Sequence, residues 1–339
     1  MTVKYNNVFE DELSFNSFSI SSSKTSDERF STKNRIIRYH YTSSKNFLKI
    51  ITDKPSLRFT DINYLNDHSE MVYCVKCILE FLNNHNEIFP FFKTVVDSLL
   101  LNNHAAEEYI NLSVSTVDFA DNKIYPYNPS RCFVFCMSEA QDSLSMWNYY
   151  VQNGKYEGYN IGFDVYDFLK SFDSPQEKVS DPITCHYGKV IYKKREQEEA
   201  IRKLAEYIER DSNRAGETAI AHNMVNLQHY IESHGIFFKD EAFKDEREYR
   251  IALIVSNPRI NSSRENYVNE NLKKMQLGFD EKNGIIVPFM SIPFNKNSVK
   301  KITMSPIIEK SIAERSLLEL LNNKGYSAKV VASKIPIRF

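Results

Sequence analysis

Two glutamates stand two residues apart in the run EREYR, Glu246 and Glu248, with Arg247 and Arg250 among them. If this run opens a strand, positions i and i+2 point to the same side. Like charges that close raise one pKa and are costly unless exposed or used. Two readings stand side by side. One is an exposed acidic strand edge with Arg247 and Arg250 as partners. The other is a carboxylate pair positioned for acid–base or electrostatic work. A further candidate is His40, between Tyr39 and Tyr41 in the alternating run IIRYHYT. It is either packed and hydrogen-bonded within a sheet or offered to a ligand.

The remaining chemistry-bearing residues read more plainly. Cys74 and Cys77 form a CxxC inside the periodic run MVYCVKCILEFL, and no second pair stands at zinc-ligand spacing, so they read as helix cysteines. Cys132 and Cys136 share one face of a strand and read as core. Cys185 and His186 are adjacent on a strand, so they point to opposite faces and cannot pair as a dyad. His222, His229 and His234 have no carboxylate at a ligand-like offset and read as solvated helix histidines. No metal is expected.

Composition narrows the function classes. The 339 residues carry 43 basic and 44 acidic side chains, a formal net charge of -1, so no global field draws the chain to nucleic acid or to a membrane. Only 9 residues are Gly, and no GxGxxG or GxxxxGK[ST] phosphate loop is present. The polar, acidic start is no secretory leader, and no apolar run approaches the roughly 20 residues of a membrane span. Five scattered Cys fit a reducing cytoplasm. The sparse C-terminal bases Lys324, Lys329, Lys334 and Arg338 read as a solvated face.

These residues need elements to position them. Residues 1–34 are Ser/Thr-rich without a sustained period and read as a polar, partly disordered arm. From Ile36 the chain reads as strand, short helix capped by Ser43 or Ser44, and strand. A loop follows through DINYLNDHSE, then a helix from Met71 and further helix through PFFKTVVDSLLLNNHAAEEYINLSVST. RCFVFCMSE is a strand. DSLSMWNYYVQNG is a helix capped by Asp142 or Ser143 and ending near Gly154. YNIGFDV and KVIYKK are strands, and a long charged helical segment at about 195–235 reads as an insertion. EREYRIALIVS, GIIVPFMSIPF and VKKITMSP are strands, followed by a helix ending at Gly325 and a closing strand. The elements mix without a βαβ rhythm, so residues 35–339 read as a single α+β domain.

Two resemblances follow from these motifs. The order YHYTS, YLNDHSE, CFVFCMSEAQDSLSMWNYY, EGYNIGFD, KVIY, FKDEAFKDEREYR, VKKITMSP, SKIPIR resembles the bacterial domain-of-unknown-function family 2971. Phe243 departs from it, since tryptophan is commoner there. The second resemblance is to the ADP-ribosyltransferase fold, in its poly-ADP-ribose polymerase-like and DNA-modifying toxin branches. His40, Thr42, Asn46, Ile50, Ile51, Leu57 and Arg58 are similar to its first motif, and Glu248 with Glu246 to its late glutamate motif. Tyr41 stands where glycine is usual.

That resemblance implies a split mixed β-sheet core with peripheral helices, NAD as substrate, and transfer of ADP-ribose to a macromolecular acceptor. The chain would be a bacterial toxin or phage-defence effector, with protein, RNA or DNA as acceptor and a neutralising or activating partner. In this frame Glu248 stabilises the oxocarbenium-like ribose and Glu246 orients or deprotonates the acceptor. His40 donates or accepts at the adenosine-side ribose, Thr42 helps fix the same loop, and Asn46 is a further cofactor-binding residue. Trp147, Tyr150 or Tyr41 stacks on nicotinamide. Arg250 neutralises the carboxylates or meets the diphosphate. Two alternatives remain. One is a non-catalytic sensor module on the same fold, with Asn66, Asp67, Trp147 and Glu246 as its ligand or partner site. The other is a magnesium-dependent nuclease using Asp67, Glu70 and Asp142.

Overall fold

The computed structural model describes residues 15–19, 35–65, 70–101, 115–118, 123–126, 131–151, 157–173, 183–213, 217–255, 277–282 and 284–337. In chain order the regular elements are β1 (Phe15–Ser19), β2 (Ile37–Ser43), α1 (Ser44–Ile50), β3 (Ser56–Asp61), α2 (Glu70–His85) and α3 (Pro90–Leu101). Then come β4 (Ser115–Asp118), β5 (Lys123–Pro126), β6 (Arg131–Ser138), α4 (Leu144–Tyr150), β7 (Gly158–Asp164), α5 (Val165–Leu169) and β8 (Ile183–Lys189). The chain continues with α6 (Lys194–Arg210), α7 (Glu217–His234), β9 (Glu248–Val255), β10 (Leu277–Lys282), β11 (Ile285–Pro293), β12 (Val299–Met304), α8 (Lys310–Asn323) and β13 (Lys329–Ala332).

Among the described residues, eleven strands form one mixed, open sheet in the order β1-β8-β9-β6-β2-β7-β12-β13, and β3, β11 and β10 branch from β6. β4 and β5 make a separate two-stranded sheet. The branch point fixes the architecture. Along one edge β6 pairs with β9 for its whole length, from Arg131↔Val255 to Ser138↔Glu248. Along the other edge, β3 takes the first half through Thr60↔Val134 and Asp61↔Phe133, and β2 takes only the last residue through Tyr39↔Ser138. Between these contacts the sheet parts.

Alternation explains why β6 and β9 are so apolar. Phe133, Phe135 and Met137 of β6, with Tyr249, Ile251 and Leu253 of β9, enter the main core. Cys132, Val134, Ala252 and Ile254 enter a second cluster on the opposite face. A strand covered on both faces reads as a continuous hydrophobic run rather than an alternating one. Gly158 opens β7 where the strand crosses close to β2: a Cβ there would meet the Thr42 carbonyl oxygen and lie 2.6 Å from Val151 Cγ1.

The helical segment at about 195–235 is two helices, not one. α6 turns Ala200, Ile201, Leu204, Ala205 and Ile208 inward at helical spacing. With α2, α3 and α7 it encloses a core of its own, so the segment packs with the helices of residues 70–101 rather than standing alone. Cys74 lies in that core, fully buried. His234, read from sequence as solvated, is buried, with Nδ1 2.6 Å from Ser233 Oγ and its ring stacked on Tyr230. The strand expected at KVIYKK lies earlier, at Ile183–Lys189, and Ile191 keeps only a single bridge to Phe238. Phe15–Ser19 of the polar arm forms an edge strand antiparallel to β8. The rest of the arm lies outside the described residues. Among the described residues no helix is long and apolar enough to cross a membrane.

Candidate functional site

A cleft of about 400 Å³ opens where the sheet parts. That is within the range of about 300–1,000 Å³ usual for small-molecule sites. Its walls carry Tyr39, Tyr41, Tyr64, Phe135, Phe243 and Phe289, drawn from three strands and two turns of 3-10 helix. Glu246, Glu248 and Lys239 form its polar end, and Arg58, Lys282, Asp280 and Glu281 also line it.

The polar end is built from local rules. Asp240 caps the 3-10 turn Glu241–Glu246 by accepting from Ala242 N. The turn stops at Arg247, whose φ of 45° and ψ of 50° place it in the left-handed region, and β9 begins at Glu248. Glu246 therefore closes a 3-10 turn and does not open the strand. The left-handed residue swings the chain so that both carboxylates still meet one cation: Lys239 Nζ lies 2.6 Å from Glu246 Oε2 and 3.1 Å from Glu248 Oε2. Arg250 Nη2 donates to Glu248 Oε2 at 2.8 Å, and Tyr150 OH donates to Glu246 Oε1 at 3.0 Å. Lys239 Nζ stands 4.8 Å from the Phe243 ring centroid.

These carboxylates are not an exposed acidic edge. Glu246 is 9% and Glu248 5% exposed. Burial alone would raise the Glu248 carboxyl, but the Arg250 and Lys239 charges overcome it and hold it down at about 2. Lys239 is raised: burial works against its charge, and the Glu248 and Glu246 charges more than offset that. Burial, then the two carboxylates, push Tyr150 well above the ordinary phenol range. At neutral pH the cluster is thus a neutral phenol donor, an ionised Glu248 and a charged lysine.

The strained turn carries its own test. A non-glycine residue in the left-handed region costs about 1–2 kcal/mol, most for β-branched side chains. Arg247→Gly should leave urea stability unchanged or raise it. Arg247→Val should lower it by about 1–2 kcal/mol. Equal stabilities for the two variants would contradict the account of this turn.

His40 lines the cleft from the face opposite Glu248. Tyr39, Ser138 and Glu248 stand in register across β2, β6 and β9. Alternation therefore sets Tyr39, Tyr41 and Glu248 on one face and His40 on the other. His40 reaches the cleft only through the parting, where its Nδ1 donates to the Cys136 carbonyl at 3.1 Å and its ring packs on Phe135 at 4.8 Å. This side-chain bond satisfies a β6 carbonyl at the point where the ladder is interrupted. Burial lowers its pKa to about 4, so the ring is neutral and Nε2 carries the free lone pair. The folded pKa lies below the ordinary 6.5, so the neutral ring's contribution to stability is present above 6.5 and is lost as pH falls towards about 4. His40→Gln should flatten the stability–pH curve in that window, measured by urea unfolding at stepped pH.

The other residues expected at the site divide between the cleft and its surroundings. Trp147 is fully buried, and its Nε1 donates to Asp142 Oδ1 at 2.8 Å, so its face is not offered to a ligand. Arg250 is fully buried beneath the cleft, bonded to Glu248 and to the Ile236 carbonyl; it neutralises the pair and cannot meet a diphosphate. Thr42 is buried outside the cleft, and Asn46 is exposed on α1, where its backbone N–H donates to the Ser43 cap. Tyr41 lines the cleft with a committed hydroxyl, which donates to the Ala140 carbonyl and accepts from Ser143 N. Tyr150 meets Glu246 through its hydroxyl. Asp142 is bonded to Trp147, Ser333 and Lys334 N, which leaves it no place in a metal site with Glu70. Asn66 and Asp67 lie outside the described residues. Lys239 lies in the FKDEAFKDEREYR run, where its seven-residue distance from Glu246 carries no local signal of their contact. Arg58 and the aromatic walls come from segments distant in sequence and carried no local signal.

A model of the family described as "Protein of unknown function (DUF2971)" matches residues 146–251. The matched stretch holds Tyr150, Lys239, Glu246, Glu248 and Arg250, the whole polar end of the cleft, and excludes His40. No curated protein and no solved structure matches the chain.

Proposed function

We propose that the cleft is a nucleotide pocket and that the chain acts as an ADP-ribosyltransferase-like enzyme, using NAD and a macromolecular acceptor. The observation that carries this reading is the carboxylate pair lining an aromatic-walled cleft. The aromatic walls suit a planar base. The carboxylates, beside the ribose, would stabilise the positive charge that develops as the nicotinamide bond breaks, an interaction typically worth several kcal/mol in a water-poor site. Tyr150 and Lys239 fix where those charges sit. Glu246, the more exposed of the pair, is the group for the acceptor proton.

Two observations favour a second reading, a binding module without turnover. The pair is balanced by Lys239 and Arg250, and His40 lies on the face opposite Glu248. Titration of the full chain with NAD by calorimetry, beside an assay of nicotinamide release, separates the two. Binding with release supports the enzyme. Binding without release supports the module. Absence of both contradicts the nucleotide pocket itself.

A further inference from the structure

α4 brings Met146 and Tyr150 to the cleft on one side. On its other side it buries Trp147 and ends at the buried Val151. What lies against that second side is the end of the chain: Ile335 and Ile337 pack on the cluster of Tyr41, Met146, Trp147 and Val151. One carboxylate joins the two. Asp142 Oδ1 accepts from Trp147 Nε1 and from Ser333 Oγ, each at 2.8 Å, and Oδ2 accepts from Lys334 N at 2.8 Å. Ser333 Oγ in turn accepts from Ile335 N at 3.1 Å, which turns the segment onto the cluster.

The loop before α4 is tied to the acidic turn as well. Ser138 Oγ donates to the Glu246 carbonyl at 2.7 Å and accepts from Ala140 N at 3.0 Å. The Glu139 backbone N–H donates to the Arg247 carbonyl at 2.8 Å. A continuous set of contacts therefore runs from the C-terminal segment through Asp142 and Trp147 to Tyr150, and from Tyr150 to Glu246.

We propose that Ser333–Ile337 is a strap that sets the position of α4, with Asp142 as the positioning residue through which it acts on Tyr150 and the carboxylate pair. Asp142 touches no ligand in this account. Its work is to lock the strap, the loop and the helix into one arrangement, so that release of the strap loosens the polar end of the cleft. Only the ligand readout rests on the nucleotide reading.

The test compares the full chain with Asp142→Ala, Ser333→Ala and a chain ending at Ala332. Trp147 is the only tryptophan, so its emission reports this joint directly. Amide exchange should rise by about tenfold or more in α4 and in residues 241–247 of Asp142→Ala and of the chain ending at Ala332, while α6 and α7 stay protected. Trp147 emission should shift to the red, with Ser333→Ala showing the smallest change. NAD affinity should fall by about tenfold, and the Asp142→Ala and Tyr150→Phe effects should fail to add. Unchanged exchange and emission in α4, or a uniform rise across the whole chain, would overturn the strap. Faster α4 exchange with no NAD binding by the parent chain would uphold the strap and sink the nucleotide reading.

Discussion

Lys239→Met is expected to be the most damaging single substitution outside the apolar core. Lys239 is 5% exposed and holds Glu246 and Glu248 at 2.6 and 3.1 Å. Removing it leaves two carboxylates facing one another with the Arg250 charge and the Tyr150 hydroxyl to compensate. Breaking a buried charge pair from one side typically costs about 3–5 kcal/mol, because the remaining charge is stranded away from water. The penalty should depend on pH in a defined direction. In the parent chain the folded pKa of Glu248, about 2, lies below its ordinary 4.5. Its stabilising contribution is present above 4.5 and is lost as pH falls towards 2. Without Lys239 one carboxylate of the pair takes up a proton more readily. The stability gap between parent and variant should therefore narrow as pH falls from 7 to about 4.5. Urea unfolding at the two pH values measures both. A variant as stable as the parent, or a gap that does not change with pH, would contradict this account of the cluster.

Glu248→Gln is the second large effect, and it falls on activity. The amide keeps the shape and one acceptor oxygen but removes the charge that would sit beside the developing cation. Loss of one such electrostatic partner typically lowers turnover by about 10²–10³-fold. The same change weakens the contact with Arg250, which is fully buried, so turnover must be referred to the folded fraction. Glu246→Gln keeps the Lys239–Glu248 pair and should cost less stability. If Glu246 handles the acceptor proton, its loss should lower transfer to the acceptor more than nicotinamide release. Equal losses in both steps would remove that role.

How much of this the sequence disclosed depends on how local each signal is. The strands at β2, β6, β7 and β9 and the capped α1 follow from period and caps, and Ser43 is the cap. The two glutamates were legible as a pair because their spacing is short. Their burial was not, because it depends on Lys239 and on helices packed from elsewhere. The same-side argument gave the right outcome by the wrong geometry: a left-handed Arg247, not strand alternation, brings them together. The face of the sheet that His40 occupies was not legible for a related reason. The face it occupies is fixed by the pairing of β2 with β6 at Tyr39↔Ser138, a tertiary register that no local pattern carries. The strand expected at KVIYKK slipped because Ile191 and Tyr192 are apolar enough to continue a strand. The ladder with β9 nevertheless ends at Lys189↔Tyr249. Trp147 looked like a ligand platform because it stands near Tyr150 on one helix, but its neighbours at Asp142 and the C-terminal segment consume it structurally.

The most direct measurement is incubation of the purified full chain with adenylate-labelled NAD and a host lysate, with Glu248→Gln run in parallel. The account predicts label transferred to protein, RNA or DNA by the parent chain and lost in the variant. Label that transfers equally well with Glu248→Gln, or NAD that is neither bound nor consumed, would contradict it.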